Sequence, residues 1–78
     1  MTRLPRVTGK DAVRALKRLG FVVFDQSGSH VYLHRVRADG YGPRVTSPVH
    51  AGATLKPKTL QSLLAAAGVA VEEFREAL

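Results

Sequence analysis

Three histidines, His30, His34 and His50, are the side chains of this 78-residue chain best suited to move a proton near neutral pH, since an imidazole titrates at about pH 6.5. His30 closes the tripeptide Gly28-Ser29-His30, His34 follows it on the same run, and His50 closes Pro48-Val49-His50. Twelve Lys and Arg stand against six Asp and Glu, a net charge of +6. Histidine within a basic surface suits one reaction well, the cleavage of RNA without a metal. RNA carries its own nucleophile in the 2′-OH, so a protein need only remove that proton, align the phosphate and stabilise its developing charge. A positioned general base contributes about 10²–10⁴-fold to such a step. His30 is the candidate base, and basic side chains and turn amides are the candidates for holding the phosphate. The competing reading is an ordinary solvated histidine on a strand.

Other chemistries fit poorly. Without cysteine there is neither a disulfide nor a thiolate metal site. Asp25 is a carboxylate close in sequence to the histidines, but no pair of potential ligands has a familiar metal spacing, so no metal and no cofactor are expected. Ser29 and His30 are neighbours, which places them on opposite faces of a strand and spoils a catalytic triad. Paired carboxylates are missing from the strand region, as are the glycine patterns of nucleotide-binding loops.

The charge is unevenly spread. Residues 1–58 carry eleven basic and three acidic side chains, and residues 59–78 carry one basic and three acidic. A basic body with a slightly acidic tail points to a polyanionic partner. No apolar run is long enough to cross a membrane and the N-terminal residues lack the apolar core of a signal peptide, so a soluble cytoplasmic protein is expected. The length allows one domain, residues 1–78.

The elements that must position the histidines can be read from periodicity. Residues 8–20, TGKDAVRALKRLG, predict a helix with Thr8 as N-cap and Asp11 as its capping-box partner. Ala12, Val13, Leu16 and Leu19 make its apolar face, Lys10, Arg14, Lys17 and Arg18 its basic face, and Gly20 its end. FVVFDQ starts a strand, Ser27-Gly28 breaks it, and HVYLHRV alternates with period two. Val31 and Leu33 then face one way, and His30, Tyr32 and His34 the other. RADGYGP reads as a second turn, and RVTSPVH as a third strand with Val45 and Val49 inward and Pro48 marking an edge or a bulge. After the loop AGATLK, PKTLQSLLAAAG predicts a helix with Pro57 at its start, Leu60, Leu63, Leu64 and Ala67 as its stripe and Gly68 as its end. A last short helix presents Val71, Phe74 and Leu78 on one side. The order α-β-β-β-α-α predicts an α+β two-layer fold, a three-stranded antiparallel sheet with helices on one face.

Several of these pieces recur together in one known family. They are Leu19-Gly20-Phe21, Gly28-Ser29-His30, Pro48-Val49-His50, Leu55-Lys56-Pro57 leading into Thr59-Leu60, Ala67-Gly68, and Glu73-Phe74. In this ordered set the chain resembles the HicA (YcfA-like) family of toxin mRNA interferases along nearly its whole length. The resemblance implies a fold like that of double-stranded-RNA-binding domains. It also implies ribosome-independent cleavage of mRNA, translation arrest, and a HicB-type antitoxin as protein partner. The family's catalytic histidine falls on His30, and Gly28 and Ser29 match beside it. The family often has Lys or Arg where this chain has Ser27, which shifts the expected phosphate contacts toward Lys10, Arg14 and Lys17. The 37–44 loop is longer and richer in glycine than usual, and Ala70 replaces a common Ser or Thr helix cap.

The expected site follows. Gly28 permits a tight turn with close backbone approach to a phosphate, Ser29 holds that phosphate or orients the ring, and His30 is the base. Tyr32 and His34 share its face and contact bases, against the plainer readings of a strand filler and a solvated histidine. His50 supports the site or simply ends its strand. The basic stripe of the first helix contacts RNA phosphates, docks an acidic antitoxin surface, or is an ordinary solvated face. Metal-free 2′-OH chemistry would leave a 2′,3′-cyclic phosphate and a 5′-hydroxyl. Two other classes compete with the toxin endoribonuclease: a non-catalytic RNA-binding module, and a regulatory protein whose main business is its protein partner.

Overall fold

The computed structural model describes residues 3–50 and 52–78. The first two residues of the basic arm and the first residue of the 51–56 loop lie outside them. The chain forms helix α1 (Gly9–Arg18), strands β1 (Phe21–Ser27), β2 (His30–Arg37) and β3 (Gly40–Pro48), and helices α2 (Pro57–Ala67) and α3 (Val71–Ala77). The strands make one antiparallel sheet in the order β1-β2-β3.

α1 begins where the sequence can satisfy its orphan amides. The amide of Asp11 donates to Thr8 Oγ1 and the amide of Thr8 donates to Asp11 Oδ2, each at 3.1 Å, a complete capping box. Ala12, Ala15 and Leu16 are buried, and Val13 and Leu19 pack half-buried against the core. Gly20 ends the helix at φ +96°, and Gly68 ends α2 at φ +68°, conformations that cost a β-carbon residue strain. Along α2 the stripe Leu60, Leu63, Leu64 and Ala67 is buried as its helical spacing requires.

β2 supplies the middle of the sheet. Val31 and Leu33 are buried, while His30, Tyr32 and His34 alternate with them on the other side. Val31 pairs with Ser47 and Leu33 with Val45, so these four side chains face the helices together. Phe21, Leu33, Leu16, Leu60 and Phe74 are almost wholly buried, each contributing about 1.5–3 kcal/mol by leaving water. Helices line one face, and the other face of the sheet stays open.

Several local expectations are corrected. RADGYGP is not a turn throughout: only Ala38 and Asp39 turn, and Gly40 and Tyr41 already pair with Arg37 and Val36. Gly42 and Pro43 occupy a register shift opposite Arg35, where an edge strand tolerates a residue without an amide hydrogen. β3 ends at Pro48, so Val49 packs half-buried against the core from outside the strand. Leu78, expected beside Phe74, is exposed, and Ala77 is buried instead. α3 packs on α1 there, and Arg18 donates to the Ala77 carbonyl at 2.8 Å, fastening the end of α3 to α1.

Candidate active site

The turn that presents His30 is built by two residues. Ser27 pairs with His30, and Gly28 and Ser29 span the gap, with Gly28 at φ +57°. A β-carbon at Gly28 would meet nothing within 4 Å, so the demand for glycine is conformational and the space beside the turn is open. His30 is exposed, and no side-chain hydrogen bond holds its ring among the described residues.

The second histidine motif is strapped to this turn. His30 pairs with Pro48 across the sheet, and the amide of Val49 donates to the carbonyl of Ser29. His50, exposed, follows directly, and its carbonyl accepts from the amide of Ala53 at 3.0 Å. A pocket of about 310 Å³ lies there, lined by Pro48, His50, Thr54, Leu55, Lys56 and Thr59 among others. The amide of Leu55 donates to the carbonyl of Val7 at 2.8 Å, tying that pocket wall to the start of α1.

Helix α1 reaches the same corner through Gly9. A β-carbon there would fall on the Pro48 carbonyl oxygen and lie 2.9 Å from the carbonyl carbon. The first turn of α1 thus abuts the residue that pairs with His30, and Lys10, next in that turn, is exposed. The Asp11 carboxyl is held below its ordinary range, first by the Thr8 amide, then by the Thr8 side chain, with a smaller lowering from Arg14 and a small opposing effect of burial.

The structure sorts the expected site residues into three groups. His30 pairs with Pro48 and Ser29 accepts from Val49, His50 follows directly on that strap, and the first turn of α1, with Lys10 next to Gly9, abuts the Pro48 carbonyl from the helical side. Tyr32 and His34 extend from His30 along the open face. Arg14 and Lys17 lie on α1, in the helical layer across the sheet from Tyr32 and His34. Arg14 stands 3.8 Å from Asp11, and Arg18 is engaged with Ala77, so only part of the basic stripe is free of intramolecular partners among the described residues.

Three residues beside Tyr32 and His34 were not expected. Phe24 lies within ring contact of both, His34 stacks on Tyr41, and Arg44 sits over the Phe24 ring. Alternation in HVYLHRV pointed to Tyr32 and His34. No such signal marks Phe24, which occupies the register shift between Val23 and Asp25, or Tyr41, which sits among glycines that read as a turn.

A family model described as HicA toxin of bacterial toxin-antitoxin matches residues 9–69, which include the capped helix, all three strands and α2. Comparison with curated proteins finds no match.

Proposed function

The chain belongs to the HicA family of bacterial toxin–antitoxin toxins, and on that premise we propose that it is an endoribonuclease that cleaves mRNA and arrests translation in the cytoplasm. Membership makes it the toxin of a pair, and an antitoxin of the HicB type is the partner proposed here. The observation that carries the enzymatic reading is the presentation of His30: exposed, directly after a two-residue turn with open space at Gly28, and paired with Pro48, on which the first turn of α1 abuts.

In the proposed reaction, the His30 imidazole takes the proton of a ribose 2′-OH. The 2′-oxygen forms a bond to the adjacent phosphorus, and the bond from phosphorus to the 5′-oxygen breaks. That oxygen takes a proton from solvent water and leaves as a 5′-hydroxyl, the proton held on His30 returns to solvent, and a 2′,3′-cyclic phosphate remains on the other fragment. The amides of the Gly28-Ser29 turn, with Lys10 from the helix turn that abuts Pro48, are the groups proposed to hold the phosphate oxygens as charge builds on them. Neither His50 nor Ser29 is required for proton removal in this scheme. Ser29 orients the turn, and His50 contributes to phosphate contact from the neighbouring pocket.

The test is controlled expression of the wild type beside His30→Ala, with growth and intact mRNA followed. Arrest and mRNA loss with the wild type alone is the expected result. The exposed ring can be removed without disturbing the core, so the variant keeps the wild-type melting temperature. Equal toxicity, or fragments ending in 5′-phosphate, would overturn the proposal. If charge reversal at Lys10 matters while His30→Ala does not, the chain is a non-catalytic RNA-binding module.

A further inference from the structure

The open face of the sheet carries a cluster that proton transfer does not use. His34 lies between two aromatic rings, Phe24 at 4.7 Å and Tyr41 at 4.3 Å between centroids, and it stacks nearly parallel on Tyr41 at 11°. Tyr32 adds a fourth ring, 6.3 Å from Phe24, and the guanidinium of Arg44 sits 5.5 Å from the Phe24 centroid. These groups are not buried by the fold: Tyr41 is 74% exposed and Phe24 45%. Val22 and Val36, also exposed, continue the patch around them. A contiguous apolar and aromatic surface of this kind on a small chain marks a contact site.

The arrangement favours one class of occupant. Rings with a free face take up bases by stacking, and a cation beside them meets the backbone that links those bases, the two ingredients of a single-strand nucleic-acid site. Duplex RNA has no use for such rings, because its bases are already stacked and its grooves are read by shape and 2′-OH contacts. The chain's net charge of +6 and the exposed Arg44 suit a polyanion. One carboxylate, Asp25, pairs in register with Tyr32 and accepts from the amide of Gln26 at 2.8 Å, and the nearby Arg44 opposes its charge with one of the opposite sign. The platform also runs directly from His30: at about 3.3 Å per strand residue, Tyr32 lies about 7 Å along β2 from it and His34 about 13 Å.

We infer that the open face of the sheet binds unpaired RNA, with Tyr41 and Phe24 stacking on its bases, His34 held between these two rings, and Arg44 meeting its phosphates. This deepens the nuclease reading, on which it rests for the nature of the polymer, by naming its substrate as single-stranded. Bases beside the scissile phosphate lie on the rings while that phosphate reaches the Gly28-Ser29 turn.

The probe is a fluorescent single-stranded RNA oligonucleotide with 2′-O-methyl riboses, which lacks the nucleophile and stays intact, beside the corresponding duplex. Anisotropy at one fixed salt concentration reads binding. The wild type binds the single strand more tightly than the duplex, and Tyr41→Ala and Arg44→Ala each weaken single-strand binding about fivefold or more. Tyr41→Trp restores it, and a thermal melt shows that the variants remain folded. Affinities within about twofold of wild type for both alanine variants would overturn the inference. So would equal binding of duplex, and so would unchanged RNA affinity with loss of neutralisation by the co-expressed antitoxin, which would give the face to a protein. Cleavage of unmodified RNA by His30→Ala is read separately, so failure of the nuclease proposal is distinguishable from failure of the platform.

Discussion

The amide of Val49 donates to the carbonyl of Ser29 at 2.5 Å, so the two histidine-bearing tripeptides, Gly28-Ser29-His30 and Pro48-Val49-His50, are closed on one another by a main-chain hydrogen bond. The bond lies just beyond the last ladder pair, His30 with Pro48, and holds the carbonyl side of the turn from which His30 projects. A hairpin tip without such a strap frays, and a proton acceptor on it loses its aim.

Replacing Val49 with proline removes the donor while keeping an apolar side chain. Pro48 is already extended, so the residue before the new proline needs no new conformation. The lost hydrogen bond and partial loss of packing should cost about 1–3 kcal/mol in urea unfolding. RNA cleavage at a temperature where the variant is still folded should fall further than the folded fraction does. Wild-type cleavage by folded Val49→Pro would show that the strap does not position His30.

Gly9 sets helix propensity against packing. In an ordinary helix, alanine is favoured over glycine by roughly 0.5–1 kcal/mol. Here the added β-carbon would meet the Pro48 carbonyl group and lie 3.0 Å from the Val49 α-carbon, both of them backbone. Packing should win, and Gly9→Ala should destabilise by about 1–3 kcal/mol in chemical denaturation. A gain in stability would mean that the α1 corner is looser than the structure describes.

These two contacts also show where reading the chain by itself stops. Thr8 with Asp11, the stripe Leu60, Leu63, Leu64 and Ala67, and the alternation of His30, Tyr32 and His34 about Val31 and Leu33 are local patterns, and all are legible from residue spacing. The meeting of Gly9 with Pro48 and of Ser29 with Val49 joins segments distant along the chain, and no periodicity encodes it. Tyr41 was hidden for a different reason. Gly40, Gly42 and Pro43 have turn composition, but an edge strand with a bulge accommodates all three. Phe24 was hidden because FVVF is apolar at every position, so its sequence does not tell the open face from the core face.

The capping box makes stability depend on acid. Asp11 titrates below its ordinary value of 3.8 in the folded chain, chiefly because its carboxylate accepts from the Thr8 amide. The unfolded chain therefore takes up that proton first as pH falls. The Asp11 contribution is fully present above the unfolded value and is lost as pH drops from there through the lower, folded value. Asp11→Asn should flatten this part of the stability profile in melts taken between neutral and strongly acidic pH, and an unchanged acid slope would sink the assignment. Thr8→Ala should cost about 0.5–2 kcal/mol at neutral pH through loss of the cap.

The basic stripe of α1 should divide by function. Arg18 donates to the Ala77 carbonyl at 2.8 Å and so fastens α3 to α1, whereas Lys10 is exposed in the turn that abuts Pro48. Arg18→Ala should therefore lower stability by about 1.5–3 kcal/mol, the value of a hydrogen bond to a charged group. Its RNA affinity, measured on the folded protein, should stay close to wild type. Lys10→Ala should leave stability within about 0.5 kcal/mol, as for an ordinary surface change. Loss of one phosphate contact should instead reduce the slope of log affinity against log salt by about 0.7–1. Denaturation and salt titration of both variants separate the two roles. Should Arg18→Ala change the salt slope and Lys10→Ala not, the RNA backbone runs along the outer face of α1, and the phosphate contacts assigned beside His30 are wrong.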